Sequence, residues 1–235
     1  RECTFLFHKF FQDFNFLLTL GNVPLDLRNH SWTYAAKEGI HMLKLLRRNM
    51  ATRVLVGVAN GSEEIETLTP VDLLRRAGAE VTLAASGPST QVTLSRGVTV
   101  VADQLVSQVK DLGFDMIVLP GGQPGANNLR DDTELVEMLK RQKAENKWYT
   151  AICASPAVVF QTHGLLEGER GTCYPAVENM LEDKSAVEQR VVVSGKCVTS
   201  KGPGTAMEFS LELINLLFGK QKRDEIAAQV LAHNA

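Results

Sequence analysis

Short runs of β-branched and aliphatic residues, each ending at a glycine or a polar residue, recur along most of this chain. Segments with the helical spacing of apolar positions lie between these runs. Strands that alternate with helices in this way predict βαβ units, and therefore a mostly parallel sheet covered by helices on both faces. The sequence thus predicts an α/β fold.

The predicted strands cover residues 53–59, 80–85, 98–101, 114–119 and 148–152, followed by a hairpin of 191–193 and 196–199 that turns at Ser194-Gly195. Helices are predicted over 131–145, from Pro156 onward, up to Phe218, and over 221–232. A further helix precedes Gly78, its expected C′ residue. Pro70 lies in that helical pattern and has two interpretations. Either it is the first helical residue after Thr69, or it distorts a longer helix that begins near Glu63.

The composition changes near Met50. Residues 1–50 hold six of the ten phenylalanines, with seven basic and four acidic residues, whereas the remaining 185 residues hold eighteen basic and twenty-three acidic ones. We therefore divide the chain into a leader, 1–50, and a domain, 51–235. The leader fits a targeting presequence, or an upstream translated region with Met50 as the true start, and an integral structural segment is a third interpretation.

The bulk properties exclude several classes of function. A formal net charge of −2 gives no reason to expect nucleic acid or an acidic membrane as a partner. No run of about eighteen apolar residues predicts a transmembrane helix. The four cysteines have neither metal-finger nor disulfide-framework spacing, which favours a reducing, cytoplasmic environment; a true presequence would instead direct the chain to mitochondria or a plastid.

In parallel α/β sheets, ligands bind beyond the carboxyl ends of the strands. The candidates at such ends are residues 60–66, the pair Gly121-Gly122, and Cys153. This convergence predicts where a functional site would lie.

Cys153 stands between a predicted strand and a predicted helix, among small residues. A sharp strand-to-helix elbow needs small neighbours, and a helix N-terminus lowers the pKa of a thiol. The amides of Gly122 and Ala154 could together hold a developing oxyanion. A buried structural cysteine is the alternative, and the elbow pattern alone does not decide between the two.

Glu66 is the carboxylate predicted to accompany Cys153, because one face of its helical turn points back toward the strand ends. If buried there, it would be protonated and could donate a hydrogen bond to a sulfur anion. His163 is too far along the next helix for a Cys-His dyad, which argues against peptidase chemistry. The Gly121-Gly122 and 202–204 turns lack phosphate-loop spacing and are predicted to bring backbone close to the site.

Five motifs in order resemble one family: Gly61 to Glu66, Arg75 to Gly78, Leu119 to Gly122, Ala151 to Ala154 and Thr199 to Thr205. From residue 53 to about 230 the chain resembles the ThiJ/PfpI superfamily, in the branch of Parkinson disease protein seven. The resemblance implies a flavodoxin-like three-layer sandwich, a homodimer, no cofactor and no metal. It implies Cys153 as nucleophile, Glu66 hydrogen-bonded to its sulfur, Gly121, Gly122 and Ala154 around the substrate, and Arg76 and Arg96 near the dimer interface.

The function implied is a glutathione-independent glyoxalase, with deglycase activity related to it, that acts on small dicarbonyl substrates such as methylglyoxal and glyoxal. The alternative is an oxidative-stress sensor or chaperone in which Cys153 is oxidised to sulfinate. One position departs from the animal members, which carry histidine where this chain has Tyr174. Proton transfer would therefore depend on Glu66.

Overall fold

The computed structural model describes residues 51–232, so the predicted leader, 1–50, lies outside the described residues. A seven-stranded sheet forms the middle layer. Its strands are β1 Arg53–Val58, β2 Glu80–Ala85, β5 Gln104–Leu105, β6 Met116–Leu119, β7 Trp148–Ile152, β8 Val191–Ser194 and β9 Cys197–Ser200. Their order across the sheet is β5-β2-β1-β6-β7-β9-β8. All neighbouring strands are parallel except β8 and β9.

Helices cover both faces of the sheet. They are α1 Glu64–Arg76, α2 Val106–Val109, α3 Gly125–Asp131, α4 Thr133–Ala144, α5 Ala206–Phe218 and α6 Lys220–Gln229. Alternate residues of β1 belong to two separate apolar clusters: Val54 and Val56 to one and Leu55 to the other. Every residue of β1 after Arg53 is buried, as a strand covered on both faces requires. The predicted α/β fold with a mostly parallel sheet is confirmed.

Helix α1 resolves the two interpretations of Pro70. The helix starts at Glu64 and contains Pro70, and the Glu63 side chain accepts a 2.8 Å bond from the amide of Glu66 as its N-cap. The interpretation with a longer helix is therefore the correct one. Gly78 follows the helix with φ +93°, which confirms it as the C′ residue.

The helix predicted over 131–145 is confirmed as α4, which begins after its N-cap Asp132, whose side chain accepts a bond from the Leu135 amide. Two other predicted elements need correction. The strand over 98–101 is β4 Thr99–Val101, which pairs outside the main sheet with β3 Gln91–Thr93, a strand that the sequence pattern missed. The helix from Pro156 is a single π-helical turn that ends at Gln161.

The strand order places a topological switch at β1. From β1 the chain moves to β2 on one side and later to β6 on the other, so the carboxyl ends of β1 and β6 open a crevice between them. Strand β7 lies beside β6 and ends at the same edge. The switch thus brings together the segments that follow β1, β6 and β7. Across residues 51–232, no helix has the length and hydropathy needed to cross a membrane.

Candidate active site

Cys153 forms a sharp elbow directly after β7. Its φ of +66° lies in the left-handed region, which is uncommon for a residue with a side chain. Two backbone bonds hold it there: its amide donates to the Ser200 carbonyl at 2.9 Å, and its carbonyl accepts from the Tyr174 amide at 2.7 Å. The residue is 7% exposed. The predicted elbow is confirmed, and the surrounding backbone maintains it.

Glu66 lies in the first turn of α1 and is fully buried. Its Oε2 accepts a 2.8 Å bond from the Gly121 amide, and the carboxyl is a hydrogen-bonding neighbour of the Cys153 thiol. Its Oε1 has no hydrogen-bond partner among the described residues. Burial raises the pKa of Glu66 to about 7, against the opposing effect of its bonds to Cys153 and Gly121. This carboxyl can therefore give or take a proton near neutral pH.

The pKa of the Cys153 thiol is raised, chiefly because the group is buried, and also by the negative charge of Glu66 and the hydrogen bond to it. The amides of Gly122 and Ala154 act in the opposite direction. The expectation of a thiol pKa lowered by a helix N-terminus is wrong, since only a single π-helical turn follows and burial dominates. Glu66 is the ionisable group whose charge acts on this thiol.

Gly121 and Gly122 let the backbone after β6 approach the site. A Cβ on Gly121 would lie 2.7 Å from both the Ala154 nitrogen and the Cys153 Cβ, and 3.0 Å from Glu66 Oε2. Gly122 has φ +86°, and a Cβ there would lie 2.6 Å from the Gly61 carbonyl oxygen. Only glycine fits between the cysteine and the carboxylate.

The two arginines predicted near the dimer interface lie in different places. Arg76 ends α1, about 15 Å along the helix axis from Glu66, and pairs with Asp72. Arg96 lies between β3 and β4, where its amide donates to Glu64, two residues before Glu66. Because a single chain carries no second copy, their role at an interface stays a prediction.

Tyr174 and Gly202 lie beside the site. The sequence predicts the approach of the 202–204 turn that contains Gly202, but no position for Tyr174 in the site. A Cβ on Gly202 would lie 3.3 Å from Tyr174 Cδ2 and 4.0 Å from Glu66 Oε1. Nothing in the local pattern indicates which side chain this turn faces. The sequence feature that could have drawn attention to this position is Tyr174 itself, which stands where the animal members of the family have histidine.

His163 does not join the site. Its Nε2 lies 2.9 Å from the Arg130 carbonyl oxygen, at the end of α3. A cavity of about 600 Å³ opens elsewhere, with Asn60, Asn128 and Thr133 in its lining, and contains neither Cys153 nor Glu66. Chemistry rather than cavity size therefore identifies the candidate site.

The profile of the DJ-1/PfpI family matches residues 52–216, which include the elbow, the glycine turn and Glu66. The chain belongs to the DJ-1/PfpI family. It is 51% identical to the oxidized DJ-1 of Toxoplasma gondii, with a TM-score of 0.75 over 77% of this chain and 98% of that one. The flavodoxin-like sandwich of the family is thus the fold of this chain.

Two curated relatives show the range of the family. Protein DJ-1 homolog B of Arabidopsis thaliana is 45% identical over 179 residues, 76% of this chain but 41% of the plant protein. The chain thus spans about two fifths of the length of that relative. The glutathione-independent glyoxalase DJR-1.2 of Caenorhabditis elegans is 37% identical over 168 residues, covering 70% of this chain and 88% of the nematode protein.

Proposed function

We propose that this protein is a glutathione-independent glyoxalase that converts 2-oxoaldehydes such as methylglyoxal and glyoxal to 2-hydroxy acids. The observation that carries the proposal is the pairing of a buried nucleophile, Cys153, with a carboxyl whose pKa is about 7, Glu66. A base with a pKa near the working pH is suited to repeated proton transfer. The nematode relative named as a glyoxalase supports the same activity.

In the proposed reaction the Cys153 thiol adds to the aldehyde carbon. A carbon–sulfur bond forms, the thiol proton passes to the Glu66 carboxylate, and Glu66 then gives this proton to the carbonyl oxygen, which becomes a hydroxyl. The amides of Gly122 and Ala154 stabilise the negative charge, first on sulfur and then on oxygen. The product of this step is a hemithioacetal.

Glu66 then moves a proton between the two carbons. It removes the hydrogen of the former aldehyde carbon to give an enediol, and a proton is returned to the neighbouring carbon. This leaves the thioester of a 2-hydroxy acid. Water attacks the thioester, the carbon–sulfur bond breaks, and the sulfur regains its proton. The sum is one dicarbonyl and one water converted to one hydroxy acid, without an external oxidant or reductant.

An assay for lactate from methylglyoxal without glutathione tests the proposal. We expect Cys153→Ser to abolish turnover and Glu66→Gln to lower it by about 10²- to 10⁴-fold. Cys197→Ala removes a buried thiol in β9, and Glu80→Gln removes an exposed carboxylate in β2; both should retain activity. Full activity in Cys153→Ser, or no activity in the wild-type protein, would contradict the proposal. Deglycase activity on glycated thiols would depend on the same two residues.

Redox sensing is the second candidate function, favoured by the donors around the sulfur. The amides of Gly122 and Ala154 and a protonated Glu66 could hydrogen-bond the oxygens of a sulfinate on Cys153. One thiol and two molecules of peroxide give one sulfinic acid and two of water. A gain of about 32 Da on Cys153 after mild peroxide, with negligible dicarbonyl turnover, would favour this role. Measuring this mass gain and dicarbonyl turnover on the wild-type protein distinguishes the two functions.

A homodimer is part of the proposal. Ile65 and Leu68 lie one turn apart on α1 and are 52% and 40% exposed, which is high for large apolar side chains. Ile65→Glu should lower the mass measured by light scattering from that of a dimer to that of one chain. An unchanged mass would place the interface elsewhere.

A further inference from the structure

Tyr174 borders the pair formed by Cys153 and Glu66. Its amide donates to the Cys153 carbonyl at 2.7 Å, so its backbone adjoins the elbow. Its ring and Glu66 Oε1 both lie within 4.0 Å of one point, the position that a Cβ on Gly202 would occupy. The aromatic ring and the buried carboxyl oxygen therefore converge on the same side of the site.

The segment that carries the ring is held at several points. The Tyr174 carbonyl accepts a 3.0 Å bond from the Val177 amide as a 3₁₀ helix begins at Pro175. Glu178 in that helix lies 3.6 Å from the Lys201 Nζ, and Lys201 directly precedes Gly202. The backbone that carries the ring is thus held before any ligand arrives, which reduces the entropy lost on binding.

Exposure shows which way a substrate would extend. Cys153 is 7% exposed and Glu66 is fully buried, whereas Tyr174 is 46% exposed. Gly121, which lies against both Cys153 and Glu66, leaves no room even for a Cβ. A reacting carbonyl held between the sulfur and the carboxyl would therefore leave its substituent to extend toward Gly202 and the ring of Tyr174.

We propose that Tyr174 determines specificity by supporting the substituent of the 2-oxoaldehyde, so that flat aromatic substituents are preferred to hydrogen or methyl. The proposal rests on the proposed glyoxalase function. An aromatic substituent stacks on the ring or meets its edge, and such contacts favour binding by an amount that corresponds to about two- to tenfold. The hydroxyl of Tyr174 takes no part in the chemistry in this view.

The ratio of kcat/KM for phenylglyoxal to that for methylglyoxal tests this role. Tyr174→Ala should lower the ratio by about two- to tenfold, whereas Tyr174→Phe should preserve it. Met180→Ala is the matched control, because it shortens another exposed apolar side chain at the end of the same 3₁₀ helix. An unchanged ratio in Tyr174→Ala, or an equal fall in Tyr174→Phe, would overturn the proposal.

A second measurement separates this proposal from the failure of the proposed function. Alkylation of Cys153 by iodoacetamide and by its N-benzyl derivative, followed by peptide mass spectrometry, needs no turnover. Tyr174→Ala should lower the relative rate of the benzyl reagent by a similar factor, while Cys173 and Cys197, both buried, report on unfolding. If the wild-type protein has no glyoxalase activity, an unchanged alkylation ratio still overturns the aromatic support by Tyr174, and a lowered ratio upholds it.

Discussion

The amide of Gly121 donates a 2.8 Å hydrogen bond to Oε2 of Glu66, 55 residues earlier in the chain. This bond fixes one carboxyl oxygen, while the thiol of Cys153 is a neighbour of the same carboxyl. Burial of the carboxyl outweighs the effect of these neighbours and raises the pKa of Glu66 to about 7. The environment of the Glu66 carboxyl thus depends on three segments that follow three different strands.

The first prediction concerns the pH dependence of activity. Because Glu66 must be ionised to accept the thiol proton, kcat/KM should rise with pH and level off above about 7. Below pH 6 the fall should be about tenfold per pH unit. Steady-state kinetics from pH 5 to 8.5 measures this, with a stability check at each pH. A profile that falls across this range would mean that the protonated carboxyl is the active form.

The second prediction concerns stability. The pKa of Glu66 is about 7 in the folded protein against 4.5 for the ordinary group, so the folded state binds more protons between these pH values. The free energy of unfolding should therefore decrease as pH rises from 4.5 to 7, by roughly 3 kcal/mol from this group.

Glu66→Gln provides the comparison for that decrease, because its side chain does not titrate. Urea unfolding at pH 5 and pH 8 gives the difference in free energy between the wild-type protein and the variant. The wild-type protein should lose stability relative to Glu66→Gln at the higher pH. A difference that is the same at both pH values would contradict the raised pKa.

The third prediction concerns the space at Gly121. Gly121→Ala would place a Cβ 2.7 Å from the Ala154 nitrogen, so the backbone must shift, at a cost of about 1–3 kcal/mol. Activity should fall as well, because the same shift moves Glu66 relative to Cys153. Gly113→Ala is the control, since nothing lies within 4 Å of its Cβ position. Equal melting temperatures for the two variants would show that the site tolerates the added methyl group.

The fourth prediction concerns the strained elbow. In the interior of a helix or strand, glycine lowers the stability of the protein by about 0.5–1 kcal/mol relative to alanine. At φ +66°, however, glycine avoids a cost of about 1–2 kcal/mol that a residue with a Cβ pays for left-handed backbone. Cys153→Gly should therefore be at least as stable as Cys153→Ala in chemical denaturation. The same pair of substitutions at Cys197, in the regular strand β9, should give the ordinary order. Alanine more stable than glycine at both positions would show that the elbow carries little strain.

The outcome at particular residues shows how far the sequence could lead. The β-branched run of β1 predicted a buried strand, and the small residues around Cys153 predicted an elbow; both are confirmed. The helix predicted over 131–145 is confirmed as α4, and only its start differs, because Asp132 caps the helix instead of lying within its first turn. Strand β3 was missed because three residues carry too little periodicity to be recognised.

The α/β class, the ends of the strands, and the cysteine and glutamate at those ends could be predicted from the sequence, because these features follow from local spacing and residue type. Three other features are visible only in the folded chain: Gly121 bonds Glu66, Tyr174 borders the site, and burial raises the pKa of Cys153. They could not be predicted because desolvation and side-chain contact depend on segments far apart in the chain. No local pattern contains the distances between them.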